Sequence, residues 1–413
     1  MDEKKKENHR EEHFLKKKMY DVTLTLDPKD LDEEVKTAGV IGEFLFYRSN
    51  LKGNTDEQGM VEHDEKFPPA KYEEDMTQIG GRYYQAMTLD EATGLFTTTL
   101  RLPAGMYPYG FLVNSEIIDP KPGHIPGVSW ECFMTEDGTY HEMTEFKPWI
   151  PDPKNPPFAP TKDGAQMNSE LYLGTPDDMP WLPAANPAVK GLVSYVSYKD
   201  IRGNDRTMGV YLPASYDKAK EYPLIFVSHG GGGNEADWFS QGGLANIMDN
   251  LIAGGRTAEA IVVTMNNSVY DWNFAEIDQN LLQCILPYLK KVYAVTDDPK
   301  KMAFCGLSMG GITTMYTYMH HPERFSYFGA MSGGFCGGEG FTLENPHLKD
   351  VTLLIGSAEE DIAYNEREIG VPSTIRALKE KGLPYIPYFV PGSHDWFCWP
   401  AMFTYFASEV LWK

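Results

Sequence analysis

The stretch Cys305-Gly306-Leu307-Ser308-Met309-Gly310-Gly311, CGLSMGG, decides how the rest of the chain is read. Before it, Lys301-Met302-Ala303-Phe304-Cys305 is a short apolar run suited to a buried parallel strand. After it, the residues from Gly311 to Met319 can continue as a helix that stops near His321-Pro322. A serine at such a strand-to-helix turn is held out for attack, because glycines on either side let neighbouring backbone approach where a Cβ would clash. The competing reading is a small residue in a glycine-rich loop. Glycine supplies 38 of 413 residues, so the bracketing alone does not decide. The decision falls to what stands at the neighbouring strand ends.

From about Val189 onward, apolar strands alternate with helical stretches. Strands are predicted at Thr207–Leu212, Leu224–Ser228, Ala260–Met265, Met302–Cys305, Tyr327–Met331, Val351–Ile355 and Ile386–Val390, with helices such as Phe274–Lys291 and Val371–Lys381 between them. That alternation predicts an α/β fold with a mostly parallel sheet covered by helices on both faces. Chemistry in such sheets gathers at the carboxyl ends of the strands.

Just past the strand ends stand the expected partners of Ser308. After Ile386–Val390 comes Pro391-Gly392-Ser393-His394-Asp395-Trp396, which puts a general base, His394, in the loop after the last strand. His320 and His321 lie several helical turns from Ser308, and His229 precedes the serine, whereas this architecture orders its triad serine, acid, histidine. After Val351–Ile355 comes Gly356-Ser357-Ala358-Glu359-Glu360-Asp361; we favour Asp361 as the acid that orients the imidazole, with Glu360 second. After Leu224–Ser228 comes His229-Gly230-Gly231-Gly232-Gly233, a loop whose backbone N–H groups can meet a developing oxyanion. A phosphate-cradling reading fails because no Lys-Ser or Lys-Thr follows the glycines. Trp238, Tyr270, Trp272, Trp396 and Trp399 cluster near these ends, and the first four are candidates to hold a planar acyl group, against a plain packing role.

The composition, 42% hydrophobic and 23% charged over 413 residues, is that of a globular protein with room for more than one core. A net charge of -22 argues against nucleic-acid or anionic-membrane partners. No apolar run approaches the roughly 20 residues of a membrane helix. Residues 1–19 read as a charged tail; MDEKKKENHREEHFLKKK lacks the apolar segment of a signal peptide. The compartment is left open: cytoplasmic for the chain as written, secreted if a signal peptide has been trimmed from it. The five cysteines are scattered and not in metal-ligand spacing, so no metal is expected. Cys284 and Cys305 sit in apolar runs as core residues, and a disulfide between Cys336 and Cys398 is left open.

Residues 20–147 read as β structure. Val22, Leu24 and Leu26 alternate with polar residues, as do Phe96, Thr98, Leu100 and Leu102, and Tyr107 to Val113 follow a Pro103-Ala104-Gly105 turn. Period-two alternation with turns between predicts an antiparallel sandwich. The stretch GLFTTTLRLPAGMYPYGFLVNSEIIDP, Gly94 to Pro120, resembles one hairpin of the immunoglobulin-like modules of carbohydrate-binding module family 48. That resemblance implies a glycan-binding module, a spacer or a lid. Residues 148–188, rich in proline, read as a stiff linker, and residues 189–413 as the α/β domain.

As a set, RTMGVYLPASYDKAKEYPLIFVSHGGGGNEADWF, AFCGLSMGG, HHPERFSYFGAMSGG and GSHDW resemble carbohydrate esterase family 1, the feruloyl and acetylxylan esterase group of α/β-hydrolases, over about Val193 to Lys413. The resemblance implies Ser308, Asp361 and His394 as triad and the backbone amides of Gly231 and Met309 as oxyanion hole, with no cofactor. It implies a two-domain serine esterase that releases hydroxycinnamic acids such as ferulic and p-coumaric acid from plant cell-wall glycan esters, with arabinoxylan or its oligosaccharides as partner. Acetylxylan esterase is the alternative, and a catalytically silent glycan-binding hydrolase fold the alternative of another class. A peptidase or thioesterase would share the acyl-enzyme step.

Overall fold

The computed structural model describes residues 18–48, 54–55, 61–62, 65–74, 76–79, 81–115, 117–118, 132–143, 150–156, 168–174, 181–183, 186–334, 340–358, 361, 370–390, 392 and 394–413. Most of the charged tail, Cys336, Glu359, Glu360 and much of the proline-rich stretch lie outside the described residues. The chain divides into two compact units, Met1–Pro157 with Asn168–Thr175, and Phe158–Met167 with Pro176–Lys413.

The second unit is built on one mixed sheet of eight strands: β1 (Leu192–Lys199), β2 (Asp205–Leu212), β3 (Leu224–Ser228), β4 (Ile261–Met265), β5 (Met302–Leu307), β6 (Tyr327–Met331), β7 (Thr352–Ala358) and β8 (Ile386–Val390). Their spatial order is β1-β2-β4-β3-β5-β6-β7-β8. β2 is antiparallel to both β1 and β4, and β3 to β8 are parallel to one another. Parallel neighbours need crossovers: α1 (Asp237–Ser240) and α2 (Leu244–Ala253) join β3 to β4, α3 (Phe274–Asn280) lies between β4 and β5, α4 (Met309–His320) joins β5 to β6 and α5 (Val371–Glu380) β7 to β8, while a 3-10 turn, Pro346–Asp350, precedes β7 and α6 (Cys398–Tyr405) follows the last strand. The helix expected over 274–291 is interrupted: α3 passes through a π-helical turn, Leu281–Ile285, before continuing as Leu286–Val292.

The strand sequences explain the layering. LIFVS in β3, IVVTM in β4 and MAFCGL in β5 are buried at every position, as strands covered on both faces must be. β1 was not anticipated, because at the edge of the sheet its LVSYVSYK is only partly buried and carries polar residues. Phe226, Phe304, Phe325 and Phe328 interlock beneath β3, β5 and β6 with ring centroids 6.0–6.4 Å apart. Cys305 is buried on the same strand as Phe304, and Cys284 packs on this core from the π turn.

The first unit holds all-β structure in two principal sheets. Met19–Leu26, Leu95–Pro103 and Thr88–Asp90 form a three-stranded sheet, and Ala38–Gly42, Tyr83–Ala86, Gly105–Val113 and Ser169–Leu173 belong to a seven-stranded one. Leu24, Leu26, Leu100 and Leu102 of the first sheet share one core with Val40, Tyr107, Phe111 and Val113 of the second. Two expectations are corrected here. Leu95–Pro103 and Gly105–Val113 do not pair as a hairpin: the first pairs with Met19–Leu26 and the second with Ala38–Gly42, so the chain changes sheets at Ala104, whose N–H bonds Lys18 O at 2.9 Å. Proline and alanine at this corner leave the strand direction free to break, which alternation cannot reveal. The stretch expected as linker also contributes a strand, Ser169–Leu173, paired with Gly105–Tyr109, and Asp152 is buried where it accepts a hydrogen bond from Tyr109 Oη at 2.7 Å.

Truncating Phe226 to Ala removes a fully buried ring that meets both Phe304 and Phe325 and should cost about 3–5 kcal/mol, because the surrounding rings can collapse only partly into the void. Urea unfolding of the variant with an unchanged m-value measures this; a loss under about 1 kcal/mol would mean the core repacks.

Candidate active site

Ser308 stands between the end of β5 and the first turn of α4, with φ 52° and ψ -118°. A non-glycine residue in that region is strained and stays there only because its surroundings leave no alternative. Those surroundings are glycines. A Cβ at Gly306 would lie 2.7 Å from the carbonyl oxygens of Ser228 and Gly310, one at Gly310 would lie 2.4 Å from Ser228 O, and one at Gly333 would lie 2.2 Å from Ser308 O. The turn is thus wedged between the ends of β3 and β6, and Ser308 N–H donates to Met331 O at 2.9 Å.

The loop after β8 brings His394 to Ser308. Its Nε2 is 3.0 Å from Ser308 Oγ, and its Nδ1 is 2.7 Å from Asp361 Oδ1. Asp361 follows β7 and its carboxylate is wholly buried. A carboxylate can only accept, so Nδ1 carries the proton and Nε2 is left to accept from the serine hydroxyl. Burial alone would push the imidazole down, but the Asp361 carboxylate, its hydrogen bond and the more distant Asp395 carboxylate outweigh it, and the net shift is upward from 6.5. Asp395 Oδ1 accepts from the N–H groups of Phe397 and Cys398 at 3.0 and 3.3 Å, just ahead of α6.

The glycine loop closes the other side. A Cβ on Gly230 would stand 3.3 Å from Ser308 Cβ, and one on Gly231 would stand 3.2 Å from the Trp272 ring. Met309 opens α4, where N–H groups have no intrahelical acceptor. Gly230 of the glycine loop and Met309 at the helix start are thus the backbone nearest the serine on these two sides.

Of the four aromatic candidates the structure leaves one facing outward. Trp272 is 51% exposed, with φ 61°, whereas Trp238 and Tyr270 are each 1% exposed and Trp396 is 8% exposed. Trp238 donates from Nε1 to Ser228 O at 3.0 Å and meets Trp396 edge-on at 5.3 Å; Tyr270 lies under the Arg202 guanidinium at 5.1 Å. These three are corrected to packing residues, since rings enclosed by neighbours have no face for a ligand. Trp396 meets Trp399 edge-on at 5.0 Å, and Trp399 meets His394 at 5.1 Å, so the column shapes the site by bracing the imidazole. Proximity to strand ends signalled the cluster; only the fold could tell which ring points out. Among the described residues no group of three or more His, Cys, Asp or Glu side chains could hold a metal ion, and no helix is long and apolar enough to cross a membrane.

With this geometry in hand, comparison with known proteins is specific. The Esterase family profile matches residues 200–406, half of the chain. The chain belongs to this esterase family, and the serine, imidazole and carboxylate in hydrogen-bonded sequence give it the arrangement of a serine esterase. It is 30% identical over 220 residues to an endo-1,4-beta-xylanase/feruloyl esterase of Xylanibacter ruminicola, covering 49% of this chain and 29% of that protein. It is 32% identical over 156 residues to endo-1,4-beta-xylanase Y of Acetivibrio thermocellus, covering 35% of this chain and 14% of that protein. The chain therefore spans less than a third of the length of these curated relatives. The enterobactin esterase of Shigella flexneri shares the fold, with a TM-score of 0.50, 18% identity and coverage of 94% of this chain and 93% of that one.

The upward shift of His394 sets an expected pH dependence. The imidazole must be neutral to accept the serine proton, so kcat/KM on p-nitrophenyl acetate should fall as pH drops through a value above 6.5. Asp361→Asn removes the group that raises it: the acid limb should move to lower pH while kcat drops by about 10³–10⁴. An unmoved limb would give the orienting role to another carboxylate, Glu360 first.

Proposed function

We propose that this protein is a feruloyl esterase, hydrolysing hydroxycinnamoyl esters of plant cell-wall glycans through an acyl-enzyme. The observation that carries the chemistry is the relay Ser308 Oγ–His394 Nε2, His394 Nδ1–Asp361 Oδ1 at 3.0 and 2.7 Å. Ser308 Oγ attacks the ester carbonyl as its proton passes to His394 Nε2, and Asp361 stabilises the imidazolium. The oxyanion is received by the N–H groups of Gly231 and Met309. His394 returns the proton to the departing sugar alcohol, and water, deprotonated by His394, then releases the acid and restores Ser308.

The acyl group is argued from Trp272. A half-exposed indole lies 3.2 Å from the position of a Gly231 Cβ, beside the glycine loop; in this reading a planar phenolic acyl group gains about 0.5–1.5 kcal/mol by stacking or edge contact on it, whereas an acetyl group has no ring to offer. The feruloyl esterase name of the Xylanibacter ruminicola relative supports the same reading. Ser308→Ala should lower kcat on methyl ferulate by about 10⁵–10⁶ with the fold intact. Trp272→Ala should raise KM for methyl ferulate by about 2- to 10-fold more than for p-nitrophenyl acetate. Faster turnover of acetylated xylan than of methyl ferulate, with no such difference in Trp272→Ala, would assign the enzyme to acetylxylan instead.

We further read the first unit as an immunoglobulin-like carbohydrate-binding module. An open groove of about 670 Å³ on it is lined by Tyr84, Gln85, Thr97, Thr98, Thr99 and Glu136. The buried Tyr83 Oη donates to Gln85 Oε1 at 2.8 Å and Gln85 Nε2 donates to Thr98 Oγ1 at 2.9 Å, which pre-sets the Gln85 amide and Thr98 hydroxyl in the groove for hydrogen bonds to a sugar, with Glu136 as an acceptor beside them. Tyr84→Ala should weaken sedimentation with insoluble arabinoxylan and leave p-nitrophenyl acetate turnover as it was. Unchanged sedimentation would make the unit a spacer.

A further inference from the structure

We infer that His229 is a positioning residue, the latch that fixes the glycine loop so that the Gly231 N–H, and not a carbonyl, is available to the oxyanion. The inference rests on the esterase reading above and adds to it a residue outside the serine–histidine–aspartate set. His229 is the first residue after β3 and is buried. Its Nδ1 lies 2.6 Å from its neighbour's carbonyl, Gly230 O. A carbonyl oxygen only accepts, so this nitrogen carries the proton. Its Nε2 lies 2.8 Å from the backbone N–H of Asn267, which only donates, so this nitrogen is bare. The two contacts agree on a single neutral tautomer. Burial supports the same state, holding the imidazole down at about 4 in spite of the Gly230 carbonyl.

The consequence runs through the peptide between Gly230 and Gly231. No peptide in the described chain is cis, and in a trans unit the carbonyl and the following N–H point to opposite sides. Gly230 O is held on the His229 side twice, by Nδ1 and by Gly233 N–H at 3.2 Å, so the Gly231 N–H faces away from the imidazole. A Cβ built on Gly230 would lie 2.8 Å from Leu307 Cδ1 and 3.3 Å from Ser308 Cβ, so the peptide that begins at Gly230 packs against the serine turn. A run of four glycines has no Cβ to resist rotation, so this peptide would turn over readily without an anchor, bringing a carbonyl where the oxyanion forms. Ser268 Oγ, which donates to Gly233 O at 2.8 Å, fixes the far end of the loop; with Nδ1 lost, the hold left on Gly230 O is the longer 3.2 Å contact from Gly233 N–H, itself a glycine of the same loop.

Two substitutions in the full chain separate the latch from general support of the loop. An asparagine amide reaches the place of Nδ1 and can still donate to Gly230 O, while giving up Asn267; a glutamine amide reaches the place of Nε2, keeping Asn267 and giving up Gly230. With p-nitrophenyl acetate, His229→Gln should lose about 10²–10³ in kcat with KM nearly unchanged, the cost of one oxyanion donor, and His229→Asn should lose less than about ten-fold. A glutamine variant as active as the asparagine one, or a loss carried by KM, overturns the inference. If thermal unfolding shows the glutamine variant unfolded, the asparagine variant decides, and a loss of about 10² or more in it overturns the latch. Nitrogen-15 NMR of the unmodified protein gives a test without substitution: His229 should appear at pH 7 as the neutral tautomer protonated on Nδ1, and the Nε2-protonated form would overturn the assignment. Wild-type protein that fails to turn over p-nitrophenyl acetate would instead sink the esterase reading, with the NMR result still judging the latch.

Discussion

Everything at the candidate site depends on one backbone residue being kept where it would not stay by itself. Ser308, at φ 52° and ψ -118°, carries strain of about 1–3 kcal/mol. The opposing force is close packing. β3 and β6 flank β5 in the sheet, and their ends, Ser228 and Met331 to Gly333, approach the turn so closely that side chains at 306, 310 and 333 have no room. Three glycines are therefore the condition under which the aromatic core beneath can clamp the serine. Sheet stability is converted locally into a half-buried serine hydroxyl held against the His394 imidazole.

The remaining groups are arranged to match that fixed point. His394 comes from a loop, where position is least secure, yet its ring is held by the buried Asp361 carboxylate on one edge and braced by Trp399 on its side. Trp399 leans on Trp396, and Trp396 on Trp238, which is tied to the carbonyl of Ser228 at the end of β3. The imidazole is thus referenced to the same strand end that wedges Ser308. A distance of 3.0 Å between Oγ and Nε2 is kept across 86 residues of chain by this shared reference.

The parallel strands could be read from the sequence because burial on both faces makes them uniformly apolar, and their ends then brought Ser308, Asp361 and His394 into view. The choice among Glu359, Glu360 and Asp361 was harder, since adjacent acids differ only in direction and pattern carries no direction; the structure puts Asp361 against the imidazole, while the other two lie outside the described residues. The same blindness misassigned Trp238, Tyr270 and Trp396, whose positions were near the site but whose rings turn inward. β1 and Ser169–Leu173 were missed because partly buried strands mix polar residues with apolar ones, and the sheet change at Ala104 because a break in pairing leaves alternation intact.

The row of indoles has an optical side. Trp238, Trp396 and Trp399 follow one another at 5.3 and 5.0 Å, close enough to share excitation, and the last stands 5.1 Å from the ring of His394. A protonated imidazole draws an electron from an excited indole far more readily than a neutral one. The ultraviolet emission of this column should therefore dim when His394 gains a proton and brighten when it gives it up, an internal dye for the charge state of that ring.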